Sequence, residues 1–310
     1  MISHQPLKGV QVEVDQLLQQ RFVASRLKFG RRHMPATQHA GPHLSRYRGR
    51  GMDFDESRIY FPGDDIRTMD WKVTARTGVA HSKVYKEERE RPVFMLVDFG
   101  PSMFFGTQIA FKSVVAAQTA AILSWAAVAH GDRVGALIFS DAGHKEVKPA
   151  GGRRGVLRLL NLLANASKPS APQASNPKLL ADALQRMRRV SRPGSLIFIL
   201  SDFYQLDNDV ERHLSNLRQH NDVTACWIYD RLEASPPPPG RYAISNGLQK
   251  HMLDLSGKQA SSNYQQRFDR HRHRIERIFR QCAIPHIFLC AGEDVVSALQ
   301  QGFASSPPAR

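Results

Sequence analysis

The sequence predicts an α/β fold: one doubly wound, mostly parallel sheet, preceded by a small β-rich N-terminal insert. Two observations carry this expectation. Val93–Val97 and Leu196–Leu200 are runs of five apolar residues with no polar alternation. Strands buried on both faces by helices look like this. From Val93 onward, strand and helix patterns then alternate almost to the end of the chain, as in a sheet wound on both faces. Both apolar runs also end in a carboxylate with a hydroxyl close by: Asp98 and Ser102 after the first, Ser201 and Asp202 after the second. Open α/β sheets place their ligand sites just past the carboxyl ends of the strands.

Taken in order, residues 12–30 have helical spacing, with Leu17, Leu18 and Phe22 apolar and Gly30 as a stop. Residues 31–45 read as a loop, so 1–45 is expected to be a basic N-terminal helix and loop. In 46–92, Gly49, Gly51 and Pro62–Gly63 mark turns between short strands at Phe54, Ile59–Phe61 and Val79–Tyr85. Asp64 is placed to cap a short helix with Ile66 and Met69 on one side. Trp71, Ile59 and Phe61 are too apolar for solvent, so this segment is expected to pack on the sheet. Residues 93–303 form the main domain. Its expected strands are 93–98, 133–140, 195–201, 223–229 and 286–290, with a hairpin-like piece at 143–148. Its helices are 107–130, 154–165, one starting at Asn176–Pro177 and ending near Val190, 207–220 and 263–282.

Composition narrows the function classes. The chain has 310 residues, 42% of them apolar, and a net charge of +15. Such a balance favours acidic partners. Between Gln16 and Met52 there are eight Lys or Arg and no acid. Cys226, Cys282 and Cys290 lack metal-ligand spacing and read as buried thiols of a reducing compartment. Met1–Pro6 does not have the build of a signal peptide. The uncharged run Ser113–Ala129 is shorter than the roughly 20 residues of a membrane span. It reads as a buried helix, and a cytoplasmic protein without a membrane span is expected.

Two motifs carry a resemblance. From Phe54 the chain reads Phe-Asp-x4-Tyr-x-Pro-Gly-Asp-Asp-x-Arg-x2-Asp-Trp-x3-Ala-Arg, ending at Arg76. Val97–Met103, followed by Gly106, looks like the first loop of a metal-ion-dependent adhesion site, Asp-x-Ser-x-Ser. The chain thus resembles the bacterial proteins with domain of unknown function 58, whose core is von Willebrand factor A-like. The resemblance implies a metal site built from Asp98, Ser102, Ser175 and Asp202, holding Mg²⁺ or another divalent cation. Gly100 stands where the motif has its first serine. The resemblance also implies work beside a MoxR-type AAA+ ATPase, as an adaptor or chaperone for a client protein.

Each constellation also has a plainer reading. Asp98 and Asp202 serve equally as caps, of the following loop and of helix 207–220. Asp64, Asp65, Arg67, Asp70 and Arg76 read as ion pairs rather than as a catalytic set. Gly151–Gly155 lacks the Gly-Lys-Ser/Thr ending of a phosphate loop and reads as a surface turn. Six arginines between Arg267 and Arg280 make a basic helix face, which is the one feature favouring nucleic acid. No nucleophile–base signature is visible and Gly-x-Ser-x-Gly is absent, so no enzyme is expected. A hydrolase using metal held by Asp98 and Asp202 is the remaining catalytic alternative.

Overall fold

The computed structural model describes residues 7–27, 52–61, 64–87, 90–169, 176–245 and 250–305. It divides into two compact units: Met1–His33 with Arg91–Arg310, and Met34–Glu90. Helices α1 (Val14–Gln19) and α2 (Arg21–Ala24) come first. The smaller unit holds β1 (Met52–Ile59), α3 (Trp71–Thr77) and β2 (His81–Glu87). Then follow β3 (Pro92–Asp98), α4 (Lys112–Ala129), β4 (Arg133–Ser140), β5 (Gly143–Ala150), α5 (Gly152–Ala166) and α6 (Leu179–Val190). The chain continues through β6 (Leu196–Ser201), α7 (Asn208–His220), β7 (Asp222–Tyr229), α8 (Arg231–Ala234), β8 (Arg241–Ser245) and β9 (Lys250–Asp254). It closes with α9 (Lys258–Gln281), β10 (His286–Cys290) and α10 (Val295–Ser305).

Six strands of the larger unit form one sheet in the order β10-β7-β6-β3-β4-β5. All neighbours are parallel except β5, which runs antiparallel to β4. The chain winds outward from β3 in both directions, so this is the doubly wound α/β sheet that the sequence predicts. Successive side chains of a strand face opposite ways. Val93, Met95 and Val97 therefore join a core with α4, α5 and α10, while Phe94 and Leu96 join a second core with α6, α7 and α9. That double burial explains the unbroken apolar run.

Helix α4 is apolar on every side and buried for nearly its whole length. A helix of that kind needs cover on the side away from the sheet. Residues 9–27 supply part of it. Gly9 bridges to Ala110, the Trp125 indole donates to the Leu17 carbonyl (3.2 Å), and the Val12 N–H donates to Ser167 Oγ (3.1 Å). Val12, Leu17, Val23, Ala24 and Leu27 are buried there. The expected helix over 12–30 is two short helices that meet at Gln20; Gly30 lies outside the described residues. Helix α4 starts at Lys112 rather than 107, because one 3-10 turn at Pro101–Met103 and a loop come first. The antiparallel β8–β9 hairpin was not expected at all.

In the smaller unit β1 and β2 form an antiparallel ribbon. The cap expected at Asp64 sits one residue later. Asp65 accepts from the Arg67 N–H (3.0 Å), and Asp70 caps α3 through the Lys72 and Val73 N–H groups (both 3.2 Å). Asp70 also accepts from Ser57 Oγ (2.7 Å), and Asp64 pairs with Arg58 (2.7 Å). The acids of this motif thus serve as caps and one ion pair. Ile59, Phe61 and Trp71, expected to be covered, are 55%, 60% and 66% exposed. A two-stranded ribbon with one short helix has too little area to enclose them.

All three cysteines are buried, and burial pushes the Cys226 thiol up to about 12. Thiolates, not thiols, attack electrophiles. Iodoacetamide at neutral pH should therefore leave the native chain unlabelled and label all three thiols in denaturant. Fast native labelling of Cys226 would contradict this packing.

Candidate functional site

Three neighbouring strands deliver an aspartate to the same edge of the sheet. Asp98 ends β3, Asp202 follows β6 and Asp230 follows β7; they are 6%, 5% and 2% exposed. The sequence expects the first two to be neighbours, and the structure brings them together through Ser201. Its hydroxyl donates to Asp98 Oδ2 (2.6 Å) and accepts from the Phe203 N–H (3.0 Å). Asp98 Oδ1 accepts from the Gly100 N–H (2.7 Å), the loop cap that was anticipated. Asp202 Oδ1 accepts from the Tyr204 N–H (3.0 Å), and Ser102 lines the same small cavity as this carboxylate. Asp202 does not cap α7, as had been considered. Asp207 does, accepting from the Val210 N–H (2.8 Å).

The backbone turns sharply after Asp202. Phe203 has φ +50, a left-handed conformation that is costly for a bulky residue. Its ring is fully buried and meets Phe279 edge-on at 4.9 Å. Packing in the second core thus offsets the strain and fixes the direction in which Asp202 faces.

Lys112, the first residue of α4, stands at the centre of the site. It is 1% exposed. Its Nζ donates to Asp202 Oδ2 (2.9 Å) and to Glu233 Oε1 (2.7 Å). Glu233 Oε2 in turn accepts from the Asp230 N–H (2.8 Å), closing a capping box on α8. Asp230 takes the Thr107 N–H (3.1 Å), the Thr107 hydroxyl (2.6 Å) and the Leu232 N–H (2.8 Å). The loop between β3 and α4 is therefore held at Gly100, Thr107 and Lys112. It also folds tightly on itself: a Cβ at Gly106 would lie 2.3 Å from the Ala110 carbonyl oxygen.

Electrostatics follow from this packing. Burial pulls the Lys112 ammonium toward deprotonation, but the charges of Asp202 and Glu233 outweigh it, so the lysine stays charged. Burial pushes Asp202 up, and the charge and hydrogen bond of Lys112 bring it below its ordinary value. Burial, then the charge of Asp202, raise Asp98 well above the usual carboxylate range. Burial also raises Glu233, against the pull of Lys112.

These residues, as arranged, do not fit a resident divalent ion. Every oxygen of Asp98 and Asp202 already has a donor, one of them an ammonium. Gly100 brings no hydroxyl, and a Cβ there would meet Asp98 Oδ1 and Leu179 Cδ2, each at 3.0 Å. Among the described residues no group of three or more His, Cys, Asp or Glu is placed to hold a metal. Ser175 lies outside the described residues. A cavity of about 20 Å³ between Asp98, Ser102, Leu179 and Tyr204 has room for one water.

Sequence reasoning missed Asp230, Glu233, Thr107 and Lys112. Asp230 had a readable signal, since it follows an apolar strand as Asp98 and Asp202 do. Lys112 had none. Gly151–Gly155 opens α5 with Gly152 at φ +70 and lies outside the site's lining. Asp230→Ala would strand the Thr107 and Leu232 N–H groups. Urea denaturation should register a loss of about 1–3 kcal/mol; an unchanged midpoint would mean that the loop is held elsewhere.

Residues 56–274 match the model of the family described as protein of unknown function DUF58. "Uncharacterized protein Rv1480" of Mycobacterium tuberculosis is 30% identical over 266 residues, 86% of this chain and 83% of the relative. Among solved structures, an aerotolerance-related membrane protein from Bacteroides fragilis shares 12% identity at TM-score 0.40, covering 70% of this chain and 98% of that one. A von Willebrand factor type A structure from Catenulispora acidiphila shares 10% identity at TM-score 0.33, covering 73% and 43%. One expectation needs correction: the cytoplasmic assignment does not stand, because a structure to which the chain is similar is described as a membrane protein. In this chain Lys112–Ala129 is long and apolar enough to cross a membrane by length and composition, and 89% of it is buried within the fold.

Proposed function

The chain belongs to the DUF58 family, and we propose that it is a non-catalytic interaction module acting beside a MoxR-type AAA+ ATPase in the assembly or activation of a client protein. The observation that carries the non-catalytic part is the state of the edge residues. Ser201 is fully buried, and its hydroxyl is held between Asp98 Oδ2 and the Phe203 N–H, so it has no open side for a substrate. The choice of ATPase comes from the resemblance of the two sequence motifs.

The smaller unit supports a docking role. It carries the long family-specific string, and Ile59, Phe61, Ile66 and Trp71 stand exposed on it. Large apolar groups left in water at such density favour a protein partner. The net charge of +15 would speed encounter with an acidic face. The arginines of α9 give less support to nucleic acid, since several have structural partners. Arg272 pairs with Glu276 (2.8 Å), Arg274 donates to the Leu206 carbonyl (2.6 Å) and Arg267 to Tyr204 Oη (3.2 Å).

Co-elution of the full chain with the ATPase, and its ATP turnover with and without the chain, test this reading. Phe61→Ser with Trp71→Ala should weaken the complex by roughly tenfold or more. Because both side chains are exposed, stability should change by only about 0.5 kcal/mol. An unaffected complex, or a salt-sensitive shift of random-sequence DNA in its place, would sink the proposal.

A further inference from the structure

The positive charge at the sheet edge belongs to the chain itself. Lys112 is as buried as the apolar core, and its ammonium lies between Asp202 and Glu233 at 2.9 and 2.7 Å. The Phe105 ring closes over it, with its centroid 5.8 Å from Nζ. Asp202 is the carboxylate that the adhesion-site resemblance assigns to a metal's third loop. We propose that the Lys112 ammonium is the resident cation of this site, doing the work of a divalent ion, so that the edge assembles without metal.

Four features of the site support this. The first is charge: a second cation would have to share Asp202 with an ammonium already 2.9 Å away, at strong repulsion inside a low-dielectric pocket. The second is the coordination shell. Divalent Mg²⁺ needs near-octahedral oxygen ligands. Here Gly100 gives none, and Ser201 is turned to donate to Asp98 and accept from Phe203. The third is space, because the Cβ of a serine at position 100 would press on the Asp98 carboxylate and Leu179. The fourth is tethering. Lys112 is covalently part of α4, and the loop before it is anchored by Thr107 on Asp230. A lysine is a compact point charge with three donors, and two of them are spent on the two carboxylates. The inference stands apart from the adaptor reading, because an adaptor can use either kind of cation.

The test uses the full wild-type chain, stripped with EDTA and titrated with MnCl₂ by calorimetry and by electron paramagnetic resonance. No stoichiometric binding is expected, and EDTA or MgCl₂ should leave Tm unchanged. Acetic anhydride labelling of the native chain should modify Lys112 far more slowly than the exposed Lys145. Lys112→Met strands the buried Asp202 and the half-buried Glu233 and should lower Tm by roughly 10 °C. Pairing it with Asp202→Asn should restore part of that loss. Lys112→Ser should gain an increase in Tm on adding MnCl₂ that the wild type lacks. Wild-type binding of one Mn²⁺ per chain that Asp98→Asn abolishes would overturn the proposal. So would native acetylation of Lys112 at the rate of a surface lysine. The acetylation measurement depends on no variant that must fold.

Discussion

Lys112 carries its charge out of water to the carboxyl edge of the sheet, where Asp202 and Glu233 face it. A buried charge is tolerated only when it is paired and its hydrogen bonds are met. Each partner is supplied by a different element: the lysine by the first turn of α4, Asp202 by the end of β6 and Glu233 by α8. Removing Lys112 would leave both carboxylates without their counter-charge, so the three elements are fixed together. Helix α4 has its position set at one end by this cluster and toward the other by the Trp125 indole on Leu17. With the helix placed, the long loop from Gly100 to Phe111 has both ends fixed, and Thr107 on Asp230 holds its middle.

Much of the fold was readable from local pattern. Val93–Val97 and Leu196–Leu200 announced strands buried on both faces because burial on both sides removes the polar alternation. Their adjacency was what the resemblance to A-domains implies, and Val97 does pair with Leu200. The edge position of Asp98 and Asp202 was legible for the same reason. A strand that stops at a carboxylate places it at the rim, whatever chemistry follows.

Other features depended on contacts distant in sequence. Lys112 reads locally as the polar start of an apolar helix; its burial depends on Asp202 and Glu233, 90 and 121 positions away. The left-handed Phe203 carries no sequence signal, because the conformation is imposed by packing against Phe279. The spacing over 12–30 shows a helix, but not that residues 9–27 lie on α4 and cover it. The apolar side chains of the smaller unit misled in the opposite direction. Ile59 and Trp71 look like core residues by composition, yet a ribbon and one helix have no interior to put them in. Asp64, Asp65 and Asp70 were assigned to the right region, but a one-residue shift in which acid caps the turn is beyond what spacing decides.

The source of the site's cation has a consequence for how the edge can be used. A bound divalent ion with an open position can be completed by a carboxylate from outside, so metal and partner are thermodynamically linked. An ammonium on a fully buried side chain, already shared between two carboxylates, is out of reach of an incoming carboxylate and cannot dissociate. The interior of the edge is then a fixed part of the fold, and recognition passes to what surrounds it. On the rim stands Tyr204, 59% exposed, with its hydroxyl bonded to Arg267 and its ring 5.9 Å from His271. An amphipathic aromatic side chain beside arginines is well suited to an acidic or amide-rich surface, and less so to a free ion. The backbone that presents Tyr204 is the strained turn at Phe203, and its N–H is held by the carboxylate that Lys112 neutralises. On the proposed adaptor reading, the internal ion cluster would act on binding by fixing the geometry of the rim, without touching the partner itself.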